Sequence, residues 1–503
     1  MTEKMSEDGS LSSSLSQSSA DSIILSPMSI ESESRLLKSP SEILHRVLCT
    51  SGADDPFAIA QAAKTCSQLR SFIYDNPDSA LWRDIYLQRY DDPKRAGAFC
   101  SPRPPPNWRK QVQDRELVSR MLRTWDKDDL VSHLDLIAST LLDLYLDLPA
   151  TTAPSSSDED PLETDESPNG ILLSSLLQSE GFRDLYFEHS TTETKPLLRP
   201  LRAQPGNPNR QVQRRAVNAD LMRLHVLLSP DFSDEEVHRQ QRGWLREMVY
   251  GASNYSVEND WGPFNPDGTV DWTLVDAVGS VMMGNAKDVL FMGEDTWRQA
   301  LPPMSYGIEP TRGWGFNDLS NVEDWAGVEG VWCGSYAFLD LADLSYTDWI
   351  TLNEPGLIQL RRSLNTLDLT RYHEAVGDLM RLELVIDREG YKPEPMPRIE
   401  TNLPTSSLLP PIYFHGSSVQ QSSAITFASN SSASFVRGVV QLTADDPPQV
   451  RWTLVIRYGG EDRWRLECVQ VGGRGSKRGF FGIWTDALKE EHSPNGPVWY
   501  WKP

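Results

Sequence analysis

VRWTLVIRYGGEDRWRLECVQV, Val450–Val471, decides the class of fold. Val450, Trp452, Leu454, Ile456 and Tyr458 alternate with Arg451, Thr453 and Arg457. A period of two predicts a strand with one buried and one wet face. Gly459-Gly460 then precedes Trp464-Arg465-Leu466, so the segment turns back on itself as a hairpin. The same texture runs outward in both directions. VEGVWCGSYAFLDL, LMRLELVID, PPIYFHG, FVRGVVQL and GFFGIW are strand-like runs separated by Gly, Pro, Asn and Asp, all after about Trp325. A row of short strands joined this way predicts an antiparallel barrel or sandwich, with the closing WYWK as an aromatic plug or flank.

The front of the chain reads differently. KSPSEILHRVLCT, Lys38–Thr50, places Ile43, Leu44, Val47 and Leu48 on a short apolar stripe after Pro40 and Glu42. A helix this short is not stable alone in water and must pack on something. Asp55–Tyr74 predicts two short helices, DSALWRDIYLQRY another, and Trp108–Leu148 two more at helical spacing. Ser233 and Glu236 form a capping box, and an amphipathic helix begins at Asp271. The whole is α+β: a Ser- and acid-rich tail without order at 1–35, a helical unit at 36–90, a helical linker region at 91–320 and a barrel-like domain at 321–503. An acidic loop at about 151–170 and a Pro-broken basic connection, Thr194–Arg210, interrupt the helical region.

The net charge of −23 argues against non-specific binding to nucleic acid, which needs Lys and Arg to displace counterions. Five scattered cysteines form no CxxC pair, which predicts a reducing compartment without disulfides or zinc. No apolar run reaches the length of a membrane span, and the polar, acidic N-terminus is no secretory signal. The eight histidines fall in no metal or acid–base spacing. GGRGSKRG, Gly472–Gly479, lacks the phosphate-loop spacing and is expected to be a mobile hairpin loop with a basic tip. No constellation of catalytic, metal or cofactor residues emerges. The 16 Trp divide between core packing and an aromatic-lined cavity at a barrel mouth. The candidates there are Trp332, Tyr336, Arg451, Trp464 and Trp484, with Arg451 either pairing with an anionic group on a substrate or simply solvated.

Pro40-Ser-Glu42-Ile43-Leu44, Asp55-Pro-Phe57-Ala-Ile-Ala, Cys66-Ser-Gln-Leu-Arg-Ser-Phe72 and Leu81-Trp82-Arg83, in this order, resemble an F-box. Ser39 stands where most members carry Leu. NYSVENDWGPF, WAGVEGVWCGSYAFLDLADL, LPPIYFHGSS, VRWTLVIRYGGEDRWRLECVQVGG and GPVWYWK are similar to segments of fungal F-box proteins, whose C-terminal half is a β-rich substrate-side domain. The resemblance implies a non-catalytic substrate-recognition subunit of a Skp–cullin–F-box ubiquitin ligase, cytoplasmic, nuclear or both. Pro40, Glu42, Ile43, Leu44, Val47, Leu48 and Phe57 would dock on a Skp-type adaptor, and through it on cullin and RING subunits, while the barrel holds a protein substrate. No cofactor, metal, nucleic acid or membrane is implied. Two other readings stay open: a barrel binding a small apolar ligand with the F-box as output, and an adaptor-bound module outside any ligase.

Overall fold

A computed structural model describes residues 36–75, 80–95, 106–149, 167–188, 218–229, 242, 245–246, 248–251, 254–312, 323–339, 374–388, 399–421, 434–489 and 494–503. The tail at 1–35, most of the acidic loop, the Thr194–Arg210 connection and the Ser233–Glu236 capping box lie outside the described residues.

The alternating runs do form strands: β1 (Gly330–Leu339), β3 (Leu379–Ile386), β5 (Ile412–Gln421), β6 (Ser434–Thr443), β7 (Val450–Tyr458), β8 (Glu461–Gln470), β9 (Phe480–Asp486) and β10 (Gly496–Trp501). These eight close an antiparallel barrel in the order β1-β3-β5-β6-β7-β8-β9-β10 and back to β1. Two short strands, β2 (Glu374–Val376) and β4 (Thr405–Ser406), add to β1 and β6. The closing aromatic segment is therefore neither plug nor flank. It is a stave of the barrel, with Val498 opposite Gly482 on one side and Tyr336 on the other.

Inside, alternate side chains from every wall meet, as a small barrel requires. Trp332 lies 5.1 Å from both Trp452 and Phe480, and those two rings stack at 4.5 Å. Leu382, Phe414, Leu454 and Tyr500 complete this layer. The opposite faces of β1, β9 and β10 are buried too. Cys333, Phe481, Trp499 and Trp501 join a second core with helices from the linker region. Its centre is the helix Trp272–Met292, capped by Asp271 at the Thr273 and Leu274 amides and stopped by Gly293 at φ +89°. The amphipathic helix expected from Asp271 is in fact buried on nearly every side through Ala286. This core runs unbroken from Val118 to Trp501, so helices and barrel share one interior.

Of the wet face expected on β7, Arg457 keeps its side chain 32% exposed, but the other two residues are buried. Arg451 and Thr453 are each 2% exposed, because the 260 loop and strand β8 close over them. GGRGSKRG is no basic tip either. Arg478 is fully buried, donating to the Leu227 and Ser305 carbonyls, and Arg474 donates to the Asp324 carbonyl; Lys477 alone of its basic residues is exposed.

At the front, α1 (Ser41–Asp54), α2 (Pro56–Thr65), α3 (Ser67–Tyr74) and α4 (Ala80–Arg89) enclose a small core of their own: Leu44, Leu48, Ile59, Leu69, Ile73, Leu81, Trp82 and Ile85. Asp55 caps α2 at the Phe57 amide, and the Cys66 sulfur accepts from the Leu69 amide at the start of α3. Trp108–Leu148 forms three helices rather than two: α5 (Trp108–Thr124), α6 (Lys127–Ser132) and α7 (Leu134–Leu146). Asp126, whose side chain caps α6 at the Asp129 amide, restarts the chain where two helices had been expected to meet.

Candidate functional site

Two places can meet a partner: the outer face of α1 and one mouth of the barrel. Along α1, apolar residues come in adjacent pairs, Ile43-Leu44 and Val47-Leu48. Neighbours on a helix point about 100° apart. Leu44 and Leu48, each 6% exposed, turn inward. Ile43 and Val47, 52% and 44% exposed, turn outward. Pro40 and Glu42 are exposed beside them, and Leu36 adds a third outward aliphatic. The seven expected docking residues thus divide. Leu44 and Leu48 hold the unit together. Pro40, Glu42, Ile43, Val47 and Phe57 are exposed, with the Arg120 guanidinium 3.8 Å from the centroid of the Phe57 ring.

The unit is not loosely tethered. Arg115 of α5, fully buried, donates to Asp147 at 2.6 Å and lies 4.8 and 4.7 Å from the ring centroids of Tyr86 and Tyr90. Tyr86 also donates to Asp147 at 3.2 Å. Burial, with the Asp147 charge, raises the Tyr86 phenol far above its ordinary value, so it stays a donor. The outward face of α1 is therefore carried on a fixed arm.

At the barrel, the five candidates go to three places. Trp332 is core, 1% exposed, its indole N–H donating to the Val328 carbonyl. Arg451 is neither a rim residue nor solvated. It donates to Glu467 at 2.6 Å and to Asp260 at 2.7 Å, with its guanidinium 4.5 Å from the Phe264 ring centroid. Arg465 and Lys489 join at 2.6 Å from Glu467 and Asp260 respectively. Burial alone would raise the Asp260 carboxyl, but the Lys489 hydrogen bond and the Arg451 charge outweigh it and hold the group below its usual range. Asp260 and Trp261 both sit at positive φ, +53° and +57°. Such strain costs on the order of 1–3 kcal/mol per residue and persists because these ion pairs and the Lys489–Trp261 contact fix the loop. The cluster clasps NYSVENDWGPF to the barrel wall.

Tyr336, Trp464 and Trp484 do come together. Tyr336 and Trp464 each meet Trp484 edge to face, at 5.4 Å and 74° and at 5.1 Å and 89°. Phe338 stacks on Tyr336 at 6.3 Å. Trp484, 6% exposed, is fixed by its indole N–H on the Ala337 carbonyl at 3.0 Å. Tyr336, Phe338 and Trp464 are half-buried, and Tyr458 is 38% exposed. Burial raises the Tyr336 phenol, and the nearby Tyr458 and Asp378 charges raise it further. Phe338 and Tyr458 were missed at the sequence level, although their alternation with Tyr336 and Ile456 puts them on the lumen face.

Among the described residues no group of His, Cys, Asp and Glu could hold a metal ion, and no helix is long and apolar enough to cross a membrane. No family model matches the chain, and neither the curated proteins nor the solved structures yield a match. The class that the fold defines is thus an α+β protein with N-terminal helices and a closed antiparallel eight-stranded barrel.

Proposed function

We propose that this chain is the substrate-recognition subunit of a Skp–cullin–F-box ubiquitin ligase, with α1 docking on a Skp-type adaptor and the barrel mouth holding the substrate. The reading is supported by the resemblance of residues 40–83 to an F-box and by one observation above all. The four-helix unit completes its core with Leu44 and Leu48 yet leaves Ile43 and Val47 outside it. About half of each exposed side chain remains to be covered, worth on the order of 1 kcal/mol apiece. Together with Leu36 and Pro40 they form a modest apolar face suited to a partner surface. Ubiquitin transfer would belong to the conjugating enzyme and the RING subunit, so this chain needs no catalytic side chain.

A small-ligand barrel is less favoured, because the rings of Trp332, Trp452 and Phe480 fill the lumen at their level. The test is affinity purification of the intact chain beside an Ile43→Asp, Val47→Asp variant, with the co-purifying proteins identified. Adaptor, cullin and RING proteins should accompany the parent chain and vanish together from the variant. Adaptor without cullin would mark a module outside the ligase. Equal recovery of all three from both chains would remove α1 from the interface.

A further inference from the structure

The chemistry of the barrel mouth narrows what it accepts. Trp484 forms a floor whose N–H is already committed, and Tyr336 and Trp464 stand against it at steep angles. Aromatic ring faces attract a cation through their quadrupoles.

Among the described residues, the ionisable groups on the lumen side of this end have one sign. Cross-strand partners share a face of the sheet. Asp486 pairs with Trp464, and Glu461 with Tyr458, so both residues hold lumen-side positions at the mouth, the Asp486 carboxylate also accepting from the Leu488 amide at 2.9 Å. Asp378 acts on Tyr336 from the start of β3. Arg437 and Arg457 lie on the outer face, where Val455, opposite Arg437, packs with Ile399 and Val439; there both pair with Asp462. Arg463, left unpaired at the β-bulge, is exposed. No described Lys or Arg occupies a lumen position of the mouth half.

A further polar atom waits inside. Ser418, opposite the core residue Leu382 and so on the lumen face, is 2% exposed, and its hydroxyl has no hydrogen-bond partner among the described residues. Buried hydroxyls left unpaired are uncommon and point to a missing partner.

We propose that the barrel mouth is an aromatic box for a soft organic cation, and that substrates present to it an arginine or a methylated lysine side chain. This rests on the reading of the barrel as a substrate receptor and names the substrate class. A bare ammonium, strongly hydrated, gives up more on entering such a box than a methylated or guanidinium cation does.

The test titrates the full chain with N-acetyl-trimethyllysine methylamide and with its neutral tert-butyl isostere, which has carbon in place of the nitrogen, following tryptophan fluorescence. The cation should bind at least tenfold more tightly than the isostere. Asp486→Asn should weaken cation binding severalfold without shifting the melting temperature, and Trp464→Phe should weaken it less than Trp464→Ala. Equal binding of both probes would make the mouth an apolar slot and overturn the proposal, as would binding of neither. Adaptor capture by the same preparation separates the two levels. Capture without cation binding sinks only the box, and cation binding without capture sinks only the ligase assignment.

Discussion

Asp260→Asn should destabilise the protein more than Arg451→Met, although both cut the same ion pair. The buried cluster sets three cations, Arg451, Arg465 and Lys489, against two carboxylates, Asp260 and Glu467. Removing Arg451 leaves a balanced set: Lys489 still lies 2.6 Å from Asp260, and Arg465 2.6 Å from Glu467. Removing the Asp260 charge leaves three cations on one carboxylate. Breaking a buried pair so that charge is left uncompensated costs about 3–5 kcal/mol. For Arg451→Met, the hydrogen bonds to charged groups that are lost are worth about 1.5–3 kcal/mol each, partly offset by no longer burying a guanidinium, for about 1–3 kcal/mol net. At about 2–4 °C per kcal/mol for a domain of this size, the melting point falls by about 6–20 °C for Asp260→Asn and about 2–12 °C for Arg451→Met. Thermal unfolding of the full chain at pH 7, followed by near-UV circular dichroism of the buried tryptophans, measures both. A larger drop for Arg451→Met, or no drop beyond about 2 °C in either, would refute the charge-balance reasoning.

The two faces of α1 should separate cleanly: Leu44→Ala should cost about 2–5 kcal/mol and raise amide exchange across α1–α4, whereas Ile43→Ala should stay within about 0.5 kcal/mol of the parent chain. The Asp260 carboxyl, held low in the fold, stabilises fully above its ordinary value of about 3.9, and that contribution is lost as pH falls through the lowered one. Acid titration of stability should therefore be flatter below pH 4 in Asp260→Asn than in the parent, and parallel curves would contradict an ionised Asp260. Gly482 admits no side chain: a Cβ there would stand 2.1 Å from the Glu467 carbonyl oxygen and 2.5 Å from the Cys468 Cα. Gly482→Ala should part β8 from β9 at a cost of about 1–3 kcal/mol or more, seen as a lower melting point.

The barrel was legible in the sequence because most staves alternate, Val450–Tyr458 most plainly. β10 was not, since Gly496–Trp501 is buried on both faces and shows no period. Arg451 misled because an arginine between apolar residues reads as a wet face. Its partner Asp260 lies 191 residues away, and nothing local announces it. On α1, adjacent aliphatics gave one stripe where the fold uses two faces, since which of two neighbours turns inward depends on α4 and α2. At the barrel, strand parity places Trp332 and Tyr336 on one face of β1. Four residues span roughly 13 Å of strand, and depth in the lumen is set by closure of the ring, not by alternation. So Trp332 became core, while Tyr336, Trp464 and Trp484 met at the mouth.

The central claim is that Ile43 and Val47 serve a foreign surface. Calorimetric titration of the purified full chain with a purified Skp-type adaptor tests it most directly. Saturable one-to-one binding, lost in Ile43→Asp, Val47→Asp while the melting curve stays unchanged, is the outcome the account requires. A folded chain that gives no heat with the adaptor, or a double variant that binds as tightly as the parent, would contradict it.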